Sequence, residues 1–177
     1  AIANLPSTIL VSLVYVALVR SPEYAAQAAL AAPLGMAINT IFLFVFVLLL
    51  RYHLIIAIAV SMLVWSVLAY TSSLVTLPHI FITSGIYLAV MILSFLLLER
   101  VFKIPSVDKR KAPFKGWVIL VRALFAGCVV GTTVLISTFA NSFWTGIFST
   151  FPAVMLSSMV ILTLSQGADF ARAIGKT

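Results

Sequence analysis

Asn39-Thr40-Ile41-Phe42-Leu43-Phe44-Val45-Phe46-Val47-Leu48-Leu49-Leu50 closes a stretch, residues 24–50, that carries no charged side chain. It is too long for a strand and does not alternate with period two, so its backbone polar groups are satisfied only as a helix. Its length exceeds the roughly 20 apolar residues needed to cross a ~30 Å hydrocarbon layer. The first half is Ala-rich, Pro33 and Gly35 interrupt the middle, and Arg51-Tyr52-His53 ends it.

The same grammar repeats outward in both directions. Apolar residues 5–19 stop at Arg20-Ser21-Pro22-Glu23, and residues 54–77 stop at Pro78-His79. Residues 80–98 end at Glu99-Arg100, 116–140 at Asn141-Ser142, and 143–165 at Gln166-Gly167, before an amphipathic stretch at 168–176. The expected fold is an all-α, polytopic transmembrane bundle of about six spans, one membrane domain over 1–177. Its parts are four spans in 1–98, a basic loop at 99–115, and two more spans in 116–177 that begin a second repeat. The chain has 177 residues, 63% hydrophobic and 8% charged, whereas soluble domains run near 45–50% apolar and about a quarter charged. That excludes a water-soluble enzyme.

The net charge of +7 does not indicate nucleic acid, because six of the eleven basic residues fall between Glu99 and Lys115. Such clustering is the positive-inside bias of a cytoplasmic loop in contact with anionic headgroups of a plasma membrane. Alternation then places Arg51, Arg172, Lys176 and the C-terminal tail on the cytoplasmic side and Arg20 outside. Cys128 is the sole cysteine, so no disulfide forms within the chain. His53 and His79 lie at opposite ends of one segment, so no metal site or cofactor is expected. No nucleophile–base pair, HExxH or phosphate-binding glycine loop is present, and an enzyme is not expected.

Internal similarity is the most informative feature. Shifted by 146 residues, Leu5-Pro6-Ser7-Thr8-Ile9-Leu10-Val11-Ser12 falls on Phe151-Pro152-Ala153-Val154-Met155-Leu156-Ser157-Ser158. The register continues to Glu23-Tyr24-Ala25 over Asp169-Phe170-Ala171, with six identities in 21 positions. A rival register sets Pro33 and Met36 on Pro152 and Met155 but matches no acid. Five spans apart, the first pair of copies runs antiparallel, as in the inverted-topology repeats of many secondary transporters. A five-helix unit would make this chain part of a parent with about ten spans, one missing before Ala1 and three after Thr177.

Proline removes a backbone donor and frees a carbonyl about four residues back. Pro6 and Pro152 are therefore expected to interrupt their helices, with Asn4, Ser149 and Thr150 placed to meet the freed groups. Asn4, Pro6, Ser12, Asn39, Thr150, Pro152 and Ser158 are the candidate substrate or ion contacts. For Asn39, a hydrogen bond between helices is the competing reading. For Ser12 and Ser158 it is back-bonding to the preceding turn. Glu23 and Asp169 are coupling acids or simple ion pairs with Arg20 and Arg172. Ala123, Gly127 and Gly131 form a small-residue ladder for helix packing, within the chain or between protomers.

Phe148-Ser149-Thr150-Phe151-Pro152, followed by Gln166-Gly167-Ala168-Asp169-Phe170-Ala171, resembles uncharacterised prokaryotic multi-pass membrane proteins with a duplicated Pro…acid-aromatic-Ala element. The first copy departs from it, with Ser21-Pro22 in place of Gly167-Ala168. The resemblance implies a permease-like carrier of a small solute or ion and supplies no substrate or catalytic residue. The alternative is a non-catalytic subunit or scaffold, homo-oligomeric or within a larger membrane complex.

Overall fold

The computed structural model describes residues 7–75, 79–104 and 116–176. Among them there are helices and turns and no strand: α1 (Ser7–Val19), α2 (Pro22–Leu49), α3 (Leu54–Ser73), α4 (Ile80–Leu96), α5 (Gly116–Phe139), α6 (Ser142–Ser149), α7 (Ala153–Gln166) and α8 (Ala168–Lys176). A π-helical turn, Leu97–Val101, prolongs α4. Among the described residues four stretches are long and apolar enough to cross a membrane: α2, α3, α4 with its π turn, and α6–α7 taken together.

α2 is the axle of the bundle. Its N-terminus is set by Ser21, whose side chain accepts the backbone N–H of Tyr24, with Pro22 at the first helical position, where a missing N–H costs nothing. The helix then runs through Pro33 without a break. The interruption expected at Pro33-Leu34-Gly35 is therefore absent, because neighbours on several sides hold this turn: Leu34 packs in a core cluster and Gly35 abuts Thr150. All three core clusters draw on α2, through Leu34, Ile38 and Phe42, through Phe46 and Leu50, and through Val47.

The other helices dress this axle. Phe46 and Leu50 meet Ala57 while Asn39 meets Trp65, so α3 folds back antiparallel to α2. α4 runs beside α2 in the same direction, Thr83 lying near Ala31 and Leu98 near Val47. α1 doubles back on α2 and packs on α5. Away from the axle the surface is oily: Leu10, Leu18, Ile55, Leu63, Phe81, Leu93 and Phe139 are all exposed. Only 6% of the most apolar window of α4 is buried. Apolar surface on this scale is stable against lipid or another protein, not water.

Breaks fall where the backbone chemistry requires them. Asn141 caps α6 by accepting the N–H of Trp144. The chain stops being helical at Thr150-Phe151 and restarts after Pro152, so the interruption expected at this proline is present. Gly167 separates α7 from α8 at φ 91°, a conformation that side chains with a Cβ rarely adopt.

Candidate functional site

The contacts that tie the two ends of the sequence together lie along one seam, where α2 runs parallel to α6, α7 and α8. At its start the Tyr24 hydroxyl donates to the Ala140 carbonyl at 2.7 Å and lies 3.0 Å from the Thr145 hydroxyl. One turn on, Gly146 faces Ala28 and Ala31 so closely that a Cβ there would strike the Ala28 carbonyl oxygen. The Ala-rich half of α2 thus exists to let α6 approach. At its far end Arg172 Nε donates to the Val47 carbonyl at 3.1 Å.

Midway along the seam sits the helix break. Pro152 cannot donate to the Phe148 carbonyl four residues back, which is met instead by the Phe151 N–H at 3.0 Å, and the helix breaks at Thr150-Phe151. Asn39 Nδ2 donates to the Thr150 carbonyl, which the break leaves outside any helix. Trp65 Nε1, from α3, donates to Asn39 Oδ1 at 2.9 Å. The amide therefore has its donor and its acceptor both used, which fixes its orientation. Thr150 directs its own hydroxyl to the Ile147 carbonyl, and Ser149 to the Gly146 carbonyl. Trp65 is wedged edge-on between Phe148 and Phe151, at 5.7 and 5.0 Å between centroids. Three helices thus converge on one interrupted turn through a polar joint, to which α2 gives Asn39, α3 gives Trp65 and the C-cap of α6 gives Thr150.

Of the residues singled out from sequence, the structure brings Asn39, Thr150 and Pro152 together. Ser158 lies a turn beyond, buried, with its hydroxyl returned to the Val154 carbonyl at 2.6 Å. Ser12 is fully buried in α1, and its hydroxyl has no hydrogen-bond partner among the described residues. Asn4 and Pro6 lie outside the described residues, as does most of the 99–115 loop. Asp169 pairs with Arg172 at 3.4 Å at the start of α8. Glu23 occupies the first turn of α2, while Arg20 lies over the Tyr24 ring, 5.1 Å from its centroid. Gly127 and Gly131 line an open groove between α5 and α1 with Thr8, Val11 and Tyr15. A Cβ at either glycine would meet nothing within 4 Å.

Sequence reasoning missed Trp65 and Tyr24 as members of the seam. Trp65 stands in an apolar run as one more large side chain, and only its N–H could have flagged it, since a buried indole needs an acceptor. A cavity of about 270 Å³ lies beside the break, lined by Phe125, Cys128, Val129, Thr132, Phe148, Phe151 and Ala153. It is nearly all apolar. No group of three or more His, Cys, Asp or Glu side chains that could hold a metal occurs among the described residues.

Residues 119–175 match the model of a family described as a protein of unknown function, DUF3147. The match spans about a third of the chain, from within α5 to within α8, and so includes the interrupted turn and its proline. No curated protein and no solved structure matches the chain.

Proposed function

We propose that this protein is a multi-pass plasma-membrane carrier of permease-like build, in which the interrupted turn at Pro152 is the working joint. The observation that carries the reading is the capture of the Thr150 carbonyl by Asn39, itself held by Trp65. A helix broken inside a membrane exposes backbone dipoles that must be met by protein, water or ligand. Carriers place such breaks at the meeting of two repeats. Here the break is met by protein, which is the closed state of such a joint; exchanging Asn39 for a solute's own donor would open it. The side chains around the break, Asn39, Trp65, Thr150 and Ser158, are uncharged, so the fitting solute is small, neutral and rich in hydrogen-bonding groups.

In this reading α1 and α5 complete six crossings with the four longer stretches. The 99–115 loop and the C-terminal tail are cytoplasmic, and no catalysis is involved. The inverted repeat gains support from direction. α1 doubles back on α2, whereas α7 runs along α2, so the two halves of the 146-residue register point opposite ways. The rival register, Pro33 on Pro152, relates elements that run the same way side by side.

A second reading, a non-catalytic subunit or scaffold of a larger membrane complex, is favoured by the apolar lining of the cavity at the break and by the bare flank of α4. Uptake of labelled neutral amino acids, sugars and nucleosides into proteoliposomes separates the two. The carrier reading expects uptake of at least one class, impaired by Asn39→Leu and by Pro152→Ala in folded protein. No uptake of any class, or uptake indifferent to both substitutions, refutes it and leaves the subunit.

A further inference from the structure

At the end of the bundle remote from Tyr24, α2, α4 and α8 enclose a cavity of about 350 Å³. Leu43 and Phe44 form its floor, and Met91, Ile92, Phe95 and Leu98 its wall. From Met91 to Leu98 the wall rises about 10 Å along α4, a third of the ~30 Å hydrocarbon layer. The cavity thus runs along α4, the least covered of the four long stretches.

Basic side chains flank this end of the groove, beyond one ion pair whose lysine lines it. Lys176 lines it, held at 2.6 Å from Glu99 and 2.8 Å from the Ile104 carbonyl. Phe102 packs edge-on against Phe44, 6.0 Å between centroids, which anchors the turn carrying Arg100 and Lys103 to the groove's floor. Arg100 and Lys103 are exposed. Arg172 reaches Val47 at the same end. Against Arg51, Arg100, Lys103, Arg172 and Lys176 this end sets only Glu99 and Asp169 among the described residues.

We infer that this groove is a binding site for an anionic phospholipid, with one acyl chain along α2 and α4 and its phosphate at Arg100 and Lys103. An apolar channel opening on a cluster of excess positive charge complements a molecule with an oily tail and a negative head, and a zwitterionic lipid answers only half of it. The site rests on the chain lying in a bilayer and is independent of whether the protein carries a solute.

Native mass spectrometry of the full chain, purified in detergent and offered phosphatidylglycerol or phosphatidylcholine, tests it. The expected result is preferential retention of one phosphatidylglycerol, with the preference falling by roughly fivefold for each base removed in Arg100→Gln and Lys103→Gln. Ile92→Trp fills the groove from a position already 54% exposed, so its folding is not at stake, and it should abolish retention with both bases intact. Equal retention of the two lipids overturns the proposal. So does retention that survives Ile92→Trp, which would mean attraction to the loop without a groove. Displacement by inorganic phosphate at the same concentration as lipid would mean an anion site with no role for the chain, and overturns it too.

Discussion

Replacing Asn39 by Leu keeps the volume of the joint and deletes its chemistry. Two hydrogen bonds disappear, one from Trp65 Nε1 at 2.9 Å and one to the Thr150 carbonyl, leaving a donor and an acceptor unmet in apolar surroundings. Interhelical hydrogen bonds in membrane proteins average about 0.6 kcal/mol and reach about 1.7 kcal/mol. The expected loss is therefore about 1–3 kcal/mol. Trp65→Phe removes only one of the two bonds while keeping most of the ring, and should cost roughly half as much. Because both substitutions break the same Asn39–Trp65 contact, the double variant should cost clearly less than the sum of the singles. Unfolding in mixed micelles, followed by far-ultraviolet circular dichroism so that loss of an indole does not distort the signal, gives all three numbers. Strict additivity, or an Asn39→Leu protein as stable as the parent, would refute the idea that the amide holds the broken turn.

Other consequences follow from the same seam. Gly146→Ala should destabilise by about 1–3 kcal/mol, the range for overpacking a filled core, because its Cβ meets backbone at Ala28; the same melts measure it. Gly35→Ala meets first the side chain of Thr150, so Thr150→Ala, which removes its hydroxyl and methyl, should relieve most of the cost, whereas no single side-chain truncation should rescue Gly146→Ala. Tyr24→Phe should cost about 1 kcal/mol through the bond to Ala140, seen as a lower melting temperature with unchanged helix content. Lys176→Met should loosen α8 more than Glu99→Gln does, because it removes both the 2.6 Å ion pair with Glu99 and the 2.8 Å bond to the Ile104 carbonyl, whereas Glu99→Gln weakens only the first. Limited proteolysis near α8 ranks the two.

Legibility from sequence tracked the physics of each feature. The helices were readable because a bilayer permits few other structures for long uncharged runs, and Arg-Ser-Pro-Glu or Gln-Gly punctuation marked their ends. The break at Pro152 was readable because proline cannot be bonded through. Pro33 carries the same local signal, yet α2 passes through it. What decides between them is long-range: Leu34 and Ile38 lie in a core cluster with Trp65 and Ile147, and that packing holds the turn together. No local pattern reports such packing. Asn39 was readable as a polar group that had to bond across helices, whereas its partner was not, since the identity of a partner 111 residues away depends on which helices become neighbours.

That neighbourhood is set by residue size more than by polarity. Between Ala25 and Ala32 the buried positions of α2 are Ala25, Ala28, Ala31 and Ala32, spaced three and four apart and so on one face of the helix. Gly146 presents no side chain to that face, and α6 can settle on α2 backbone to backbone. Only at this short distance does the Asn39 amide, three turns further along, reach the Thr150 carbonyl at the break. Widening the seam at Gly146 should therefore stretch the Asn39–Thr150 bond as well, and Gly146→Ala combined with Asn39→Leu should cost less than the two changes separately. If their effects simply add, the close packing of α6 and the capture of the broken turn are independent features that happen to share a helix pair.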